Sequence, residues 1–279
     1  MIGLVTDSNS QLPPQLAERY GIRVVPLTVT VDGTDYLEGD TLDADAFYDL
    51  FAHGAPVVKT SQPSPGRFVD AYQALARRGA DEILSVHVGS KISGTINSAR
   101  LAAAAAPVRV RVVDTGTVSF GVACCVWEAA ETLARGGTLA DAAEVAAGIG
   151  PTVGNVFVVK ALDLARAGGR LAGPGRPTGE KAAIRVLTFI GDTMEVIGTA
   201  GSDEEAAEVM AAHVRAAGSS LRAGIGSADR ATTTALTDAL DSRLREAPEI
   251  RDVVRYRVGP SVGAHTGPGT VGAMYYESS

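Results

Sequence analysis

The order of strand-like and helix-like segments constrains the fold of this chain more than any other feature of its sequence. Short β-branched runs bounded by Gly, Asp or Pro occur at Ile2–Thr6, Ile83–Val88 and Val108–Asp114, as is typical of buried strands in a mainly parallel sheet. Helix-like stretches separate or follow them at Pro13–Tyr20, Ala44–Ala52, Gly66–Arg78, Thr95–Ala105, Val118–Ala134 and Thr138–Ala147. This alternation predicts an α/β layered structure.

The second half of the chain has a different pattern. Ile184–Ile190 and Thr193–Thr199 flank a Gly191-Asp192 turn and predict a β-hairpin. A helix is predicted at Asp203–Ala217, with Ser202 as N-cap and Glu205 completing a capping box. The remaining predicted elements are strands at Val156–Lys160, Leu221–Gly226, Asp252–Val258 and Val271–Tyr276, and a helix at Arg230–Glu246. This half therefore predicts a mixed α+β structure.

The length favours two domains, because 279 residues are many for a single compact core. We place an N-terminal α/β domain at residues 1–160 and a C-terminal α+β domain at residues 161–279, with the boundary near Asn155–Leu162. The last strand is free to return to the first domain in this scheme.

Charge and composition exclude several classes of function. The net charge of -7 and the lack of a basic tract argue against nucleic-acid binding, which needs clustered Lys and Arg. The N-terminal sequence lacks the charged and apolar regions of a signal peptide. The adjacent Cys124 and Cys125 suit a reducing compartment and are interpreted as small core residues of a helix. We expect a cytoplasmic protein.

Familiar catalytic motifs are missing from the sequence. The four histidines share no metal-ligand spacing, and no P-loop or dinucleotide motif is present, so we expect no metal, no cofactor and no catalytic residues. Gly259–Gly263 matches G-x-S-x-G, but a nucleophile elbow needs a helix after the serine. We expect Gly267, Pro268 and Gly269 to forbid that helix, which makes the match coincidental.

Three polar segments are better candidates for a site. Thr60–Ser64 precedes a predicted helix, Ser90–Thr95 follows a predicted strand, and Gly263–Gly269 combines glycines with His265. Ligands of α/β sheets bind beyond the carboxyl ends of strands, often at helix N-termini that favour anions. Taken singly, such segments are also common as turns and helix caps.

The three segments together resemble the DegV family of bacterial fatty-acid-binding proteins. Thr6-Asp7-Ser8 and Gly168-Gly169-Arg170-Leu171 also match, and all the matches follow the family order along nearly the whole chain. The resemblance implies a two-domain α/β fold that holds one long-chain fatty acid with its acyl tail buried.

The resemblance also implies roles for particular residues. The carboxylate-binding hydroxyls of the family fall on Thr60 and Ser93, and its histidine falls on His265. With their neighbours they form the expected ligand-binding set of Thr60, Ser61, Ser93, Gly94, Thr95, His265 and Thr266. The protein would be a carrier without catalysis of its own, presenting the acid to a separate fatty acid kinase in phospholipid metabolism. Arg170 is the candidate contact with that kinase, and a transient contact with the membrane surface is a further expectation.

Two other interpretations remain open at this point. One is a small-molecule hydrolase or transferase that uses Ser93 as nucleophile, with His265 as the one identifiable base. The other is a binding module for a different anionic small molecule.

Overall fold

The computed structural model describes residues 1–54, 56–160, 183–191 and 193–278. The chain forms two compact units, Met1–Leu42 with Val57–Val153 and Asp43–Pro56 with Gly154–Ser279. The domain limits at residues 160 and 161 stay a prediction. The division by contacts differs from them, because it groups residues 43–56 and 154–160 with the second unit.

The first unit contains a parallel sheet and a small antiparallel sheet. Its strands are β1 (Ile2–Asp7), β2 (Ile22–Val25), β3 (Thr28–Val31), β4 (Thr34–Leu37), β5 (Val58–Ser61), β6 (Glu82–His87) and β7 (Arg109–Asp114). The order β2-β1-β6-β7 forms the first sheet, in which every pair is parallel. The order β4-β3-β5 forms the second, in which both pairs are antiparallel.

Helices cover both faces of the parallel sheet. The helices up to residue 149 are α1 (Pro14–Tyr20), α2 (Ala44–Asp49), α3 (Pro65–Arg77), α4 (Thr95–Ala103), α5 (Phe120–Ala134) and α6 (Leu139–Ile149), of which α2 belongs to the second unit. Leu4 and Leu84 face a core built with α5 and α6, whereas Val5 and Ile83 face a core built with α3 and α4. Adjacent strand residues thus point to opposite, buried faces, which explains their unbroken apolar runs. The predicted α/β layering is confirmed.

The interior of α5 contains the adjacent cysteines. Cys124 and Cys125 are both fully buried, as small core residues of a helix are. Burial raises the pKa of Cys125 to about 12, so this thiol stays protonated.

The second unit is built on one mixed sheet. Its strands are β8 (Gly154–Val158), β9 (Ile184–Ile190), β10 (Thr193–Ala200), β11 (Leu221–Ser227), β12 (Ile250–Arg257) and β13 (Val271–Glu277), in the order β10-β9-β8-β13-β11-β12. β11 and β12 are parallel and the other pairs are antiparallel. Besides α2, the described part of this unit contains the helices α7 (Asp203–Arg215), α8 (Arg230–Glu246) and α9 (Pro260–Thr266). The predicted mixed structure and the β9–β10 hairpin are confirmed, although Asp192 of the turn lies outside the described residues.

The last strand does not return to the first unit. β13 pairs with β11 on one side and β8 on the other, so it lies inside the sheet of the second unit. Both of its faces carry buried residues, including Ala273 and Tyr276. An apolar strand of this kind is more stable in the middle of a sheet than at an edge.

The predicted start of α7 is confirmed in part. Ser202 Oγ accepts a hydrogen bond from the Glu205 backbone at 3.2 Å, as an N-cap does. The Glu205 carboxylate accepts from Gly201 N at 2.8 Å, one residue before the position that a capping box requires. Among the described residues, no helix combines the length and the apolar character needed to cross a membrane.

Candidate functional site

The carboxyl edge of the parallel sheet gathers polar side chains at one point. The chain leaves β1 for β2 on one side and later returns to β6 on the other side of β1. Ligands of open α/β sheets bind at such a reversal of strand order. Asp7 ends β1 and His87 ends β6, so both residues lie at this point.

A buried chain of hydrogen bonds starts from these two residues. His87 Nδ1 lies 2.9 Å from Asp7 Oδ2, and His87 Nε2 lies 2.6 Å from Ser85 Oγ. Ser85 Oγ in turn lies 2.9 Å from the Tyr72 hydroxyl, which contacts the Ala99 carbonyl of α4 at 3.4 Å. Burial raises the pKa of Tyr72 to about 12, and this exceeds the opposing effect of its bond to Ser85, so Tyr72 remains a hydrogen-bond donor.

The acid, imidazole and hydroxyl of this chain resemble the catalytic triad of serine hydrolases. Asp7, Ser85 and His87 are, however, fully buried, and Ser85 lies within β6 rather than on a loop. A nucleophile has to reach its substrate, and the side chain of Ser85 is closed off from solvent. The chain instead braces β1, β6 and two helices against one another, as satisfied buried networks do.

Asp7 also fixes the start of the loop that follows β6. Its Oδ2 accepts from Val88 N at 3.1 Å. Gly89 then donates to the Thr117 carbonyl at 2.8 Å, and Ser93 N donates to the Gly89 carbonyl at 3.1 Å. The backbone of Ser93 is thereby connected to the buried network through two intermediate residues.

Asp114, the last residue of β7, holds the same loop from its other side. Its Oδ1 accepts from Ser90 N and from Gly116 N, each at 3.1 Å. Partial burial raises the pKa of this carboxyl, but the hydrogen bonds from Ser90 and Gly116, with nearby Arg100, outweigh burial and leave the pKa lowered.

The segment Ser93-Gly94-Thr95 forms the N-terminal end of α4. Ser93 Oγ lies 2.9 Å from Thr95 Oγ1 and accepts from Thr95 N at 3.3 Å. Ser93 is half-buried, and Thr95 is buried. A helix N-terminus carries unpaired N–H groups and a positive dipole end. Hydroxyls at this position suit an anion such as a carboxylate.

The segment at Thr60 and Ser61 forms the end of β5. Thr60 lies opposite Val29 of β3 and is partly buried, and Ser61 is exposed. Beyond the strand, the Gln62 amide lies against Gly94 and donates to Ser98 Oγ of α4 at 3.3 Å. The structure therefore brings the first two predicted segments together within the first unit.

The third segment differs from its prediction. His265 and Thr266 lie in the last turn of α9, not in a glycine-rich loop. Pro260 at the first turn favours the helix, and Gly267, with a φ of 72°, ends it. The expectation that glycine and proline forbid a helix here was wrong, because they follow the helix rather than interrupt it.

The segment that matches G-x-S-x-G does not form a nucleophile elbow. Ser261 lies inside α9 and is buried, whereas an elbow serine lies on the turn between a strand and a helix. Gly263 is explained by packing, since a Cβ there would lie 2.5 Å from the Tyr48 hydroxyl and 2.8 Å from the Phe47 ring.

The loop after α9 is held by a helix cap. Asp229 Oδ2 caps α8 by accepting from Thr232 N at 2.9 Å, and Asp229 Oδ1 accepts from Gly269 N at 2.6 Å. Thr270 Oγ1 donates toward the carbonyls of Thr266 and Gly267 at 3.1 and 3.0 Å. These contacts fix the end of the helix that carries His265.

Arg170 and the whole Gly168–Leu171 segment lie outside the described residues. His265 and Thr266 belong to the second unit, while Thr60, Ser61, Ser93, Gly94 and Thr95 belong to the first. In the part of the chain that the structure describes, no group of His, Cys, Asp and Glu side chains could hold a metal ion.

Comparison with known proteins decides the family. A sequence profile of the DegV family matches residues 1–278. The chain belongs to the DegV family. A DegV domain-containing protein of Streptomyces coelicolor is 35% identical over 280 residues, which cover 98% of this chain and 97% of the relative.

Solved DegV structures share the fold of this DegV chain. A DegV family protein from Thermus thermophilus, described by its fatty acid binding, is 32% identical, with a TM-score of 0.83 and coverage of 99% of both chains. A Thermotoga maritima protein described as revealing fatty acid binding function is 26% identical, with a TM-score of 0.83 and the same coverage. The two solved structures share the fold of this chain, and both of those DegV proteins are described as binding fatty acids.

The buried network of this DegV chain was not predicted from its sequence. Thr6-Asp7-Ser8 was recognised only as a match, without a role for Asp7. A signal was present, because Ser85 and His87 are the polar residues of the run Ile83–Val88, which is otherwise apolar and buried on both faces. Buried polar side chains need partners, and that requirement points to a network at this end of β6.

Proposed function

We propose that this protein binds one long-chain fatty acid, with the acyl tail buried and the carboxylate held at the N-terminal end of α4. The observation that carries the proposal is the convergence of two hydroxyl segments, since Gln62 connects the end of β5, with Thr60, to the helix start that carries Ser93. Fatty acid binding by the Thermus thermophilus relative, 32% identical over 99% of both chains, supports it.

The physical chemistry of the ligand agrees with this assignment. Each buried methylene contributes roughly 0.8 kcal/mol, so a tail of about fourteen could supply on the order of 11 kcal/mol before the costs of binding. A carboxylate removed from water needs hydrogen-bond donors. We assign Thr60 and Ser93 to this role, with Ser61, Gly94 and Thr95 beside them. His265 and Thr266 are proposed as further ligand-binding residues on the strength of the family resemblance.

Organic extraction of the purified protein followed by mass spectrometry tests this proposal. We expect a long-chain fatty acid in the extract of the wild-type protein and a reduced amount after Ser93→Ala. A water-soluble anion in place of the lipid would favour the alternative of a different anionic ligand.

We further propose that the carrier presents its fatty acid to a separate kinase that forms the acyl phosphate. Tails held by many methylenes leave slowly into water, so transfer to a docked enzyme or a membrane surface is faster than free release. Arg170 is the proposed contact with the kinase. Mixing the lipid-loaded protein with ATP and the fatty acid kinase of the same cell tests it: we expect acyl phosphate from wild type and less from Arg170→Ala.

The hydrolase alternative is less well supported. Ser93 Oγ is engaged by Thr95, and both ring nitrogens of His87, the histidine of the first unit, are engaged by Asp7 and Ser85. A serine nucleophile requires a base in contact with its hydroxyl. Turnover of a generic acyl ester that is lost in Ser93→Ala would restore this alternative.

A further inference from the structure

Gly94 is not required by its own backbone conformation. Its φ of -75° and ψ of 3° lie where any residue is tolerated. The usual reason for glycine at a turn, a positive φ, therefore does not apply. The reason for glycine at position 94 must therefore lie in a neighbouring group that leaves no room for a side chain.

The Gln62 side chain provides that explanation. A Cβ on Gly94 would lie 1.9 Å from Gln62 Oε1 and 2.8 Å from Gln62 Cδ. The amide of Gln62 thus occupies the space that any larger residue at position 94 would fill. This contact joins the loop after β5 to the first turn of α4.

A second contact fixes the direction of the amide. Gln62 Nε2 donates to Ser98 Oγ at 3.3 Å, and Ser98 is a buried residue one helical turn beyond Gly94. The amide therefore lies along the first turn of α4, with one hydrogen bond to Ser98 and its oxygen packed against Gly94. Gln62 itself is exposed, so its amide contributes little to the core of the unit and can be removed at low cost in stability.

We propose that Gln62 is a positioning residue that sets the distance between the Thr60 and Ser93 hydroxyls, and that Gly94 is glycine in order to admit it. Gln62 lies two residues after Thr60, and Gly94 directly follows Ser93, so the contact joins the two hydroxyl segments. The inference rests on the proposed fatty acid site and assigns Gly94 to the contact with Gln62 rather than to the ligand.

A double-mutant cycle on fatty acid affinity tests the inference. Delipidated wild type, Gln62→Ala, Gly94→Ala and the double variant are titrated with a fluorescent long-chain fatty acid. We expect about fivefold weaker binding in each single variant, as for the loss of one hydrogen-bonded contact. In the double variant we expect about the same fivefold loss, because both changes remove one shared contact. Gln73→Ala, which removes an exposed glutamine of α3, is the matched control and should bind as wild type does.

Urea unfolding of the same proteins separates positioning from folding. We expect the midpoints of all variants to stay close to that of wild type while the affinities fall. Wild-type affinity in Gln62→Ala would overturn the inference. Losses that multiply in the double variant would also overturn it, because Gly94 would then act on the ligand independently of Gln62. If wild type itself shows no saturable binding, the proposed function fails as well, whereas failure of the variants alone leaves that function standing.

Discussion

Two loops that adjoin candidate ligand-binding residues are held in different ways. The loop after β6 in the first unit contains Ser93, and the loop after α9 in the second unit follows His265 and Thr266. The first is tied to Asp7, which is fully buried and bonded to the equally buried His87. The second is tied to Asp229, a half-buried cap of α8. A loop anchored in the core depends on the stability of its whole unit. A loop anchored on a helix cap can be disturbed with a smaller, more local effect.

The largest effect that follows from this difference is expected for His87→Ala. The substitution leaves Asp7 Oδ2 and Ser85 Oγ without their His87 partner in a fully buried site, and each buried polar group left unsatisfied costs about 1–3 kcal/mol. Urea unfolding measures this loss. His213→Ala is the matched control, because His213 is half-buried against Tyr275 in the second unit, and we expect a loss of about 1 kcal/mol there. Equal losses in the two variants would contradict the account.

Two glycines of the first unit should differ in how strongly their replacement by alanine destabilises the protein. A Cβ on Gly89 would lie 2.8 Å from the carbonyl carbon of Gly116, which is backbone and cannot move aside. We expect Gly89→Ala to destabilise the protein by about 1–3 kcal/mol. Gly94→Ala displaces only the flexible end of Gln62, and its cost should stay below about 1 kcal/mol. Denaturant unfolding of both variants checks the order, and a reversal of that order would be evidence against rigid packing at Gly89.

A smaller effect is expected at the cap of the second unit. Asp229→Asn keeps an oxygen for the N-cap of α8 but places an amide N–H group opposite the Gly269 N–H group. We expect a loss of about 1 kcal/mol, the value of one hydrogen bond. Asp229→Ala also removes the cap and should lose about 1 kcal/mol more. Equal stability of Asp229→Asn and wild type would show that the contact with Gly269 does not hold the loop.

The smallest effect concerns pH and Asp114. Hydrogen bonds from Ser90 and Gly116 lower the pKa of this carboxyl in the folded state despite partial burial. A lowered folded pKa gives stability that is present above the unfolded pKa and lost as pH falls through the folded pKa. The difference in unfolding free energy between wild type and Asp114→Asn should therefore shrink from about pH 7 to about pH 3. A difference that grows on acidification would contradict the lowered pKa.

Much of the fold could be predicted from the sequence because buried strands and amphipathic helices leave periodic patterns. β1, β6, β7 and the β9–β10 hairpin were recognised in this way. The strands β2, β3, β4 and β5 were missed, since each has four residues. A local signal existed for one of them, because Asp32-Gly33 between β3 and β4 has positive φ at both residues, as a tight hairpin turn requires.

The candidate site was predictable only in its composition. The sequence indicated which hydroxyls to consider, but not that Gln62 would connect their segments or that Asp7 would anchor the loop before Ser93. Both contacts join residues that are distant in sequence, Gln62 to Ser98 and Asp7 to His87. Such contacts depend on strand order, which local patterns do not determine. The helix that contains His265 was missed because Gly267, Pro268 and Gly269 were expected to prevent a helix, whereas they begin directly after its last residue.

The most direct test of the central claim is a titration of the delipidated protein with palmitic acid and, separately, with its methyl ester. Both ligands offer the same tail, but only the acid presents a carboxylate to the hydroxyls of Thr60 and Ser93. We predict saturable binding of one acid molecule per chain, and at least about tenfold weaker binding of the ester, since hydrogen bonds to a charged group are worth about 1.5–3 kcal/mol. Equal affinities for the two ligands, or no saturable binding of the acid, would contradict the account.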